Sequence, residues 1–149
     1  MTDNSLYILL GNLLLEGKTV QIAVTGLSMF PFLLPGDIIQ VSSIKSENLK
    51  KGMIIVFQSD SIWIAHRLIK FDNKKRLAFT RGDARATKDK PLDYDNIKGF
   101  VVKIIKSRWK LANIAIGGFS GLIAFCSPVF GLVFRAMTYM LAVRSKVFK

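Results

Sequence analysis

The chain has 149 residues, half of them hydrophobic, a formal charge of +12 at neutral pH and a sequence pI near 10.1. That length suits one domain with an appendage, and the apolar share with its positive mean hydropathy exceeds the usual soluble range. A single cysteine excludes an internal disulfide, and one histidine among scattered acids offers no metal-ligand cluster, so neither a disulfide scaffold nor a metalloenzyme is expected, and no cofactor is implied.

At the N-terminus, Leu6–Leu15 reads as a short amphipathic helix capped by Asp3 or Ser5. It is not a secretory signal. Asp3 stands where a basic region belongs, Gly11-Asn12 interrupts the apolar stretch, and no small-residue cleavage site follows. From Thr19 the hydrophobic period changes to two. Strands are expected at Thr19–Thr25, Asp37–Ile44, Gly52–Gln58, Ile62–Phe71, Arg76–Arg81 and Lys98–Ile105, separated by turn-rich pieces such as Gln58-Ser59-Asp60 and Asp72-Asn73-Lys74. Six short strands without long helices between them predict a mainly β fold, a small curled antiparallel sheet or partly open barrel.

Polar residues interrupt these strands in three places. Gly26-Leu27-Ser28-Met29-Phe30-Pro31, followed by Pro35-Gly36-Asp37, holds a serine at the turn that ends an alternating strand. Ala65-His66-Arg67 places the only histidine in a strand, where alternation puts Ile62, Ile64 and His66 on one face. Thr80-Arg81-Gly82-Asp83 leads on to Asp89. Taken singly, these are bland: a core histidine, a Gly-x-Ser turn, a turn-forming Gly-Asp and a solvated loop acid. Together they supply a hydroxyl, a base and two carboxylates, each after a strand signal. A serine hydroxyl becomes a nucleophile when a base accepts its proton, and imidazole, with an ordinary pKa near ~6.5, is the side chain suited to that task.

The chain ends in a different composition. Leu111 to Phe134 is a run of 24 residues without a charge, about 36 Å as a helix at ~1.5 Å per residue, against a bilayer core of roughly 30 Å. Gly117, Gly118, Gly121, Gly131 and Pro128 interrupt it. A spanning helix, a re-entrant or surface-lying hairpin bent at Pro128, and a buried helix all fit this run. Cys126 inside it has no polar neighbour to activate it and reads as a packing residue. Residues 1–97 carry 13 Lys/Arg and 10 Asp/Glu, whereas residues 98–149 carry 9 Lys/Arg and no acid. Basic residues bracketing aliphatic sequence suit an anionic lipid surface better than nucleic acid, which calls for interleaved stacking aromatics. The expected division is a β domain with its helix over residues 1–107 and a basic, hydrophobic, membrane-associating tail over residues 108–149.

The conjunction Gly-x-Ser-Met-x-Pro (Gly26 to Pro31) with Gly36-Asp37, His66-Arg67, and Thr-Arg-Gly-Asp-x5-Asp (Thr80 to Asp89) resembles the signal peptidase I superfamily, from about Gly17 to Ile105. Histidine at position 66, where bacterial leader peptidases and self-cleaving repressors have lysine, is similar to the archaeal, endoplasmic-reticulum and sporulation-type branch. The resemblance implies a serine endopeptidase acting on peptides or proteins with leader or signal segments. Ser28 would be the nucleophile, His66 the general base, Asp89 its orienting acid, and Asp83 a loop holder or second support. Met29 and Gly26 would border the substrate. Gly26 stands where many relatives carry a serine able to donate to the oxyanion, which leaves that task to backbone N–H groups, chiefly that of Ser28. Arg67 is expected as a structural ion-pair partner. The family's N-terminal anchor is absent from the pattern, and attachment falls to the tail. A non-catalytic module of the same fold, binding extended peptides at the membrane, is the alternative. A self-cleaving repressor is disfavoured, because no helix-turn-helix pattern precedes Gly17.

Overall fold

The six period-two segments and one further short strand form one antiparallel sheet: β1 (Val20–Ala23), β2 (Ile38–Ser42), β3 (Ile54–Ser59), β4 (Ile62–Asp72), β5 (Leu77–Arg81), β6 (Leu92–Asp93) and β7 (Ile97–Lys106). The computed structural model describes residues 4–60, 62–107 and 129. The strand order is β1-β2-β7-β3-β4-β5-β6, so β1 and β6 are edges and the sheet does not close. The fold is therefore mainly β, as the sequence predicts. The short β6 is an addition to the six expected strands. Expectations for residues 108–149, including the membrane-associating tail and the packing role of Cys126, lie outside the described residues apart from Val129. Among the described residues no helix is long and apolar enough to cross a membrane.

Successive strand residues point to opposite faces, and β3 divides accordingly. Ile54 and Val56 enter one apolar cluster with Val41, Val101 and Leu33, while Ile55 and Phe57 enter a second with Leu68 and Ala78. Register shifts between Ile38 and Ile39, Gln40 and Val41, Val56 and Phe57, and Leu68 and Lys70 curl the sheet. Gly99 on β7 allows β2 to approach closely, since a Cβ there would overlap the Ser42 carbonyl.

Helix α1 (Asn4–Leu15) ends in a Schellman motif. Gly17 at φ +77° donates to the Leu14 carbonyl and Lys18 to that of Leu13, both at 3.0 Å. Amphipathic order is not what α1 has. Leu14 is buried with Leu10 and Leu13 packed beside it, yet Leu6, Ile8, Leu9 and Leu15 are exposed. Apolar residues thus surround this helix. Ser5 lies inside α1 rather than capping it, and Asp3 falls outside the described residues. The helix is held to the sheet by Tyr7, whose ring stacks on Trp63 of β4 with centroids 5.6 Å apart.

Candidate active site

Ser28 owes its position to the loop between β1 and β2. Val24 extends the β1 pairing, donating to Asp37 O and accepting from Gly36 N–H, both at 2.8 Å. The chain then turns through Leu27–Phe30 into a helical turn in which Leu33 N–H reaches Met29 O. Met29, Phe32 and Leu33 are buried in the first apolar cluster, so the turn is anchored from below while Ser28 remains partly exposed. Leu34-Pro35-Gly36-Asp37 closes the loop as a turn with Gly36 at φ +91°, the positive value a type II turn requires. The fully buried Asp37 carboxylate locks it by accepting from Leu34 N–H and from Ser107 Oγ.

His66 and Arg67 are adjacent on β4, so their side chains leave opposite faces. His66 meets Phe57 edge-on and turns its Nε2 to Ser28 Oγ at 3.0 Å. Its Nδ1 lies 2.6 Å from Asp89 Oδ2. The same carboxylate oxygen accepts from Thr80 Oγ1 at 2.7 Å, and Asp89 N–H donates to Thr80 O at 2.9 Å. With Nδ1–H donating to the carboxylate, the Nε2 lone pair faces the serine hydroxyl. Burial alone would push the Asp89 carboxyl up. The His66 hydrogen bond and charge, the Thr80 hydroxyl and nearby Arg85 outweigh that and hold it below the usual carboxylate range.

The structure thus brings together Ser28, His66 and Asp89, from three separate segments. Asp83 goes elsewhere. It faces Arg67 in a bidentate pair, Nε to Oδ1 and Nη2 to Oδ2 at 2.7 Å each, with both side chains fully buried. Of the two expectations for Asp83, this geometry fits the loop holder and not the second support of His66, because its oxygens are spent on Arg67. Burial pushes the Asp83 carboxyl up, and the Arg67 guanidinium opposes that through hydrogen bonds and charge. Arg67 also donates to Gly52 O at 2.7 Å and lies under the Phe32 ring. The pair is a brace: it fixes the residue after His66 and the residue after Gly82 to the Ser28 turn.

Gly82 is the site residue that sequence reasoning missed. A Cβ there would lie 2.5 Å from Ser28 O and 3.1 Å from His66 Nε2. Only glycine lets the loop after β5 approach the Ser–His pair this closely, and Ala84 N–H then donates to Ser28 O at 2.9 Å. The signal was the glycine of Thr-Arg-Gly-Asp, read there as a turn former.

Ser28 and His66 open into a cleft of about 790 Å³ that Gly26 and Met29 also line. Gly26 has nothing within 4 Å of an added Cβ, and Met29 is buried, its body serving the core. Two strand margins border the cleft: β1, an edge strand, and the Ile62–Ala65 half of β4, which pairs with β3 but lies beyond the reach of β5. Among the described residues no cluster of His, Cys, Asp and Glu is able to hold a metal ion. In comparisons with known proteins, the chain matches no family model and no curated protein.

Proposed function

We propose that this chain is a serine endopeptidase of signal peptidase I type that cleaves leader or signal segments. The observation that carries the reading is the line of contacts from Ser28 Oγ through His66 to Asp89, at 3.0 and 2.6 Å, opening into a cleft. In this reading Ser28 Oγ attacks the peptide carbonyl as His66 Nε2 accepts its proton, and Asp89 stabilises the imidazolium through Nδ1–H. The imidazolium then protonates the departing amine, and a water attacks the acyl-enzyme with His66 again as base. The oxyanion is met by backbone N–H, first that of Ser28, which among the described residues donates to no other group. The exposed margins of β1 and β4 suit a substrate that adds as an extended strand. The apolar, basic segment 108–149 would hold the enzyme at a membrane surface.

The same strand margins would also serve a non-catalytic peptide-binding module. A fluorophosphonate probe separates the two. It is expected to label the wild-type chain and not Ser28→Ala, while both keep the same far-UV spectrum and melting temperature. An unlabelled, folded wild-type protein would remove the peptidase reading.

A further inference from the structure

The cleft has two chemically different walls. One is apolar, built from Ile22, Val24, Met29, Ile39, Trp63 and Ile64. The other is the loop between β5 and β6, where Arg85, Lys88 and Lys90 line the cleft and are exposed. Among the described residues Asp89 is the only carboxylate lining the same space, and its Oδ2 already accepts from His66 and Thr80. Asp83, the other acid of the loop, is buried against Arg67. Among the described residues none of the three cations is in an ion pair.

Three like charges within six positions repel one another, and the one carboxylate among them, Asp89, is engaged by His66 and Thr80. Nor are they free to drift away from the cleft. Their backbone is pinned by Ala84 N–H to Ser28 O, Arg85 N–H to Gly82 O and Asp89 N–H to Thr80 O, each at 2.9 Å. Arg85 is close enough for its charge to act on Asp89. A concave wall carrying one sign of charge concentrates the opposite sign in its ligand.

We propose that the cleft selects extended peptides bearing acidic side chains beside the bond offered to Ser28, read by Arg85, Lys88 and Lys90, while apolar residues fill the opposite wall. The inference rests on the peptidase reading for what is cut, but not for what is bound. A peptide fits better than a nucleic acid, because the opposite wall offers aliphatic side chains and open strand margins, and its Trp63 is already stacked on Tyr7.

The test uses the full chain in detergent and three quenched fluorescent peptides with one small-residue core, flanked by Glu, by Gln or by Lys. Binding is read by anisotropy on Ser28→Ala and cleavage by fluorescence on wild type. The Glu peptide is expected to bind on the order of tenfold more tightly than the Gln peptide, with Lys weakest, and the ratio should shrink as ionic strength rises. In Arg85→Gln/Lys88→Gln/Lys90→Gln the ratio should fall close to one. Equal binding of Glu and Gln peptides, a ratio kept in the triple variant, no binding of any peptide, or tighter binding of a single-stranded oligonucleotide would each overturn the inference. The peptide series needs no altered loop, so it decides independently of how the triple variant folds. A binding ratio as expected without cleavage removes the peptidase reading and upholds the selectivity. Cleavage without acid preference does the reverse.

Discussion

Gly82→Ala is the sharpest perturbation of the proposed catalytic arrangement. The added methyl would sit 2.5 Å from Ser28 O, while ordinary contact begins near 3.4 Å, so about 0.9 Å must be gained. The obstructing atom is backbone, itself bound to Ala84 N–H at 2.9 Å, and no side-chain rotation relieves it. The methyl also stands 3.1 Å from His66 Nε2 and Ser28 Cβ, so both partners of the 3.0 Å contact are pushed. Opening that contact by most of an ångström should slow acylation roughly 10²-fold, the usual effect of a 1 Å misplacement. Overpacking costs about 1–3 kcal/mol, a loss the domain should survive with a melting point lower by several degrees. The assay is the second-order rate of fluorophosphonate labelling at Ser28, run beside a thermal melt. A folded Gly82→Ala protein labelled within about twofold of wild type would refute this account of the loop.

Three further outcomes follow from the same geometry. Asp89→Asn keeps the shape but favours the wrong imidazole tautomer, and turnover should fall by as much as ~10⁴-fold, as in the Ser-His-Asp template. Because the folded Asp89 carboxyl is held low, its stabilisation is complete above its unfolded value near ~3.9 and is lost as pH falls through the lower folded value; denaturation curves of wild type and Asp89→Asn should converge only in acid. Asp83→Asn leaves the Arg67 charge buried and uncompensated, which should destabilise the fold by about 3–5 kcal/mol in guanidinium titrations, with much of the loss recovered in Arg67→Met/Asp83→Leu. Gly26→Ser has open space for its side chain; its hydroxyl should leave the melting point unchanged and raise cleavage up to about 10²-fold by adding an oxyanion donor, an expectation undone by a rate equal to wild type.

Much of the sheet was legible because its strands announce themselves by alternation, as in Ile54–Phe57 and Ile62–His66. β6 was not. Two residues behind Pro91 carry no period, and only the pairing of Leu77 with Asp93 and of Ala78 with Leu92 makes them a strand. The helix misled for a related reason: Leu6–Leu15 has so many apolar residues that no face can be read from spacing, and which leucines are buried depends on where the sheet lies. At the site, residue types were legible and distances were not. Of two aspartates six positions apart, the resemblance gave Asp89 as the orienting acid of His66 and left Asp83 as loop holder or second support. What separates them is that Asp83 follows Gly82 directly into the interior toward Arg67, whereas Asp89 returns to Thr80 along a loop. The cations of that loop, Arg85, Lys88 and Lys90, carry no sequence pattern of their own, and only the fold turns them toward a common space.

β7 sits between β2 and β3, although it is the last of the seven strands to be made. Its partners in the sheet are as much as 68 positions upstream, as in the pairing of Ile38 with Lys106. A ribosome must therefore deliver nearly the whole domain before the segment bearing the alcohol and the segment bearing the imidazole share one ladder, and such distant pairings form slowly. The nascent chain is in this sense its own latent precursor, since the Ser28–His66 contact waits for β7 to bridge the two halves of the sheet.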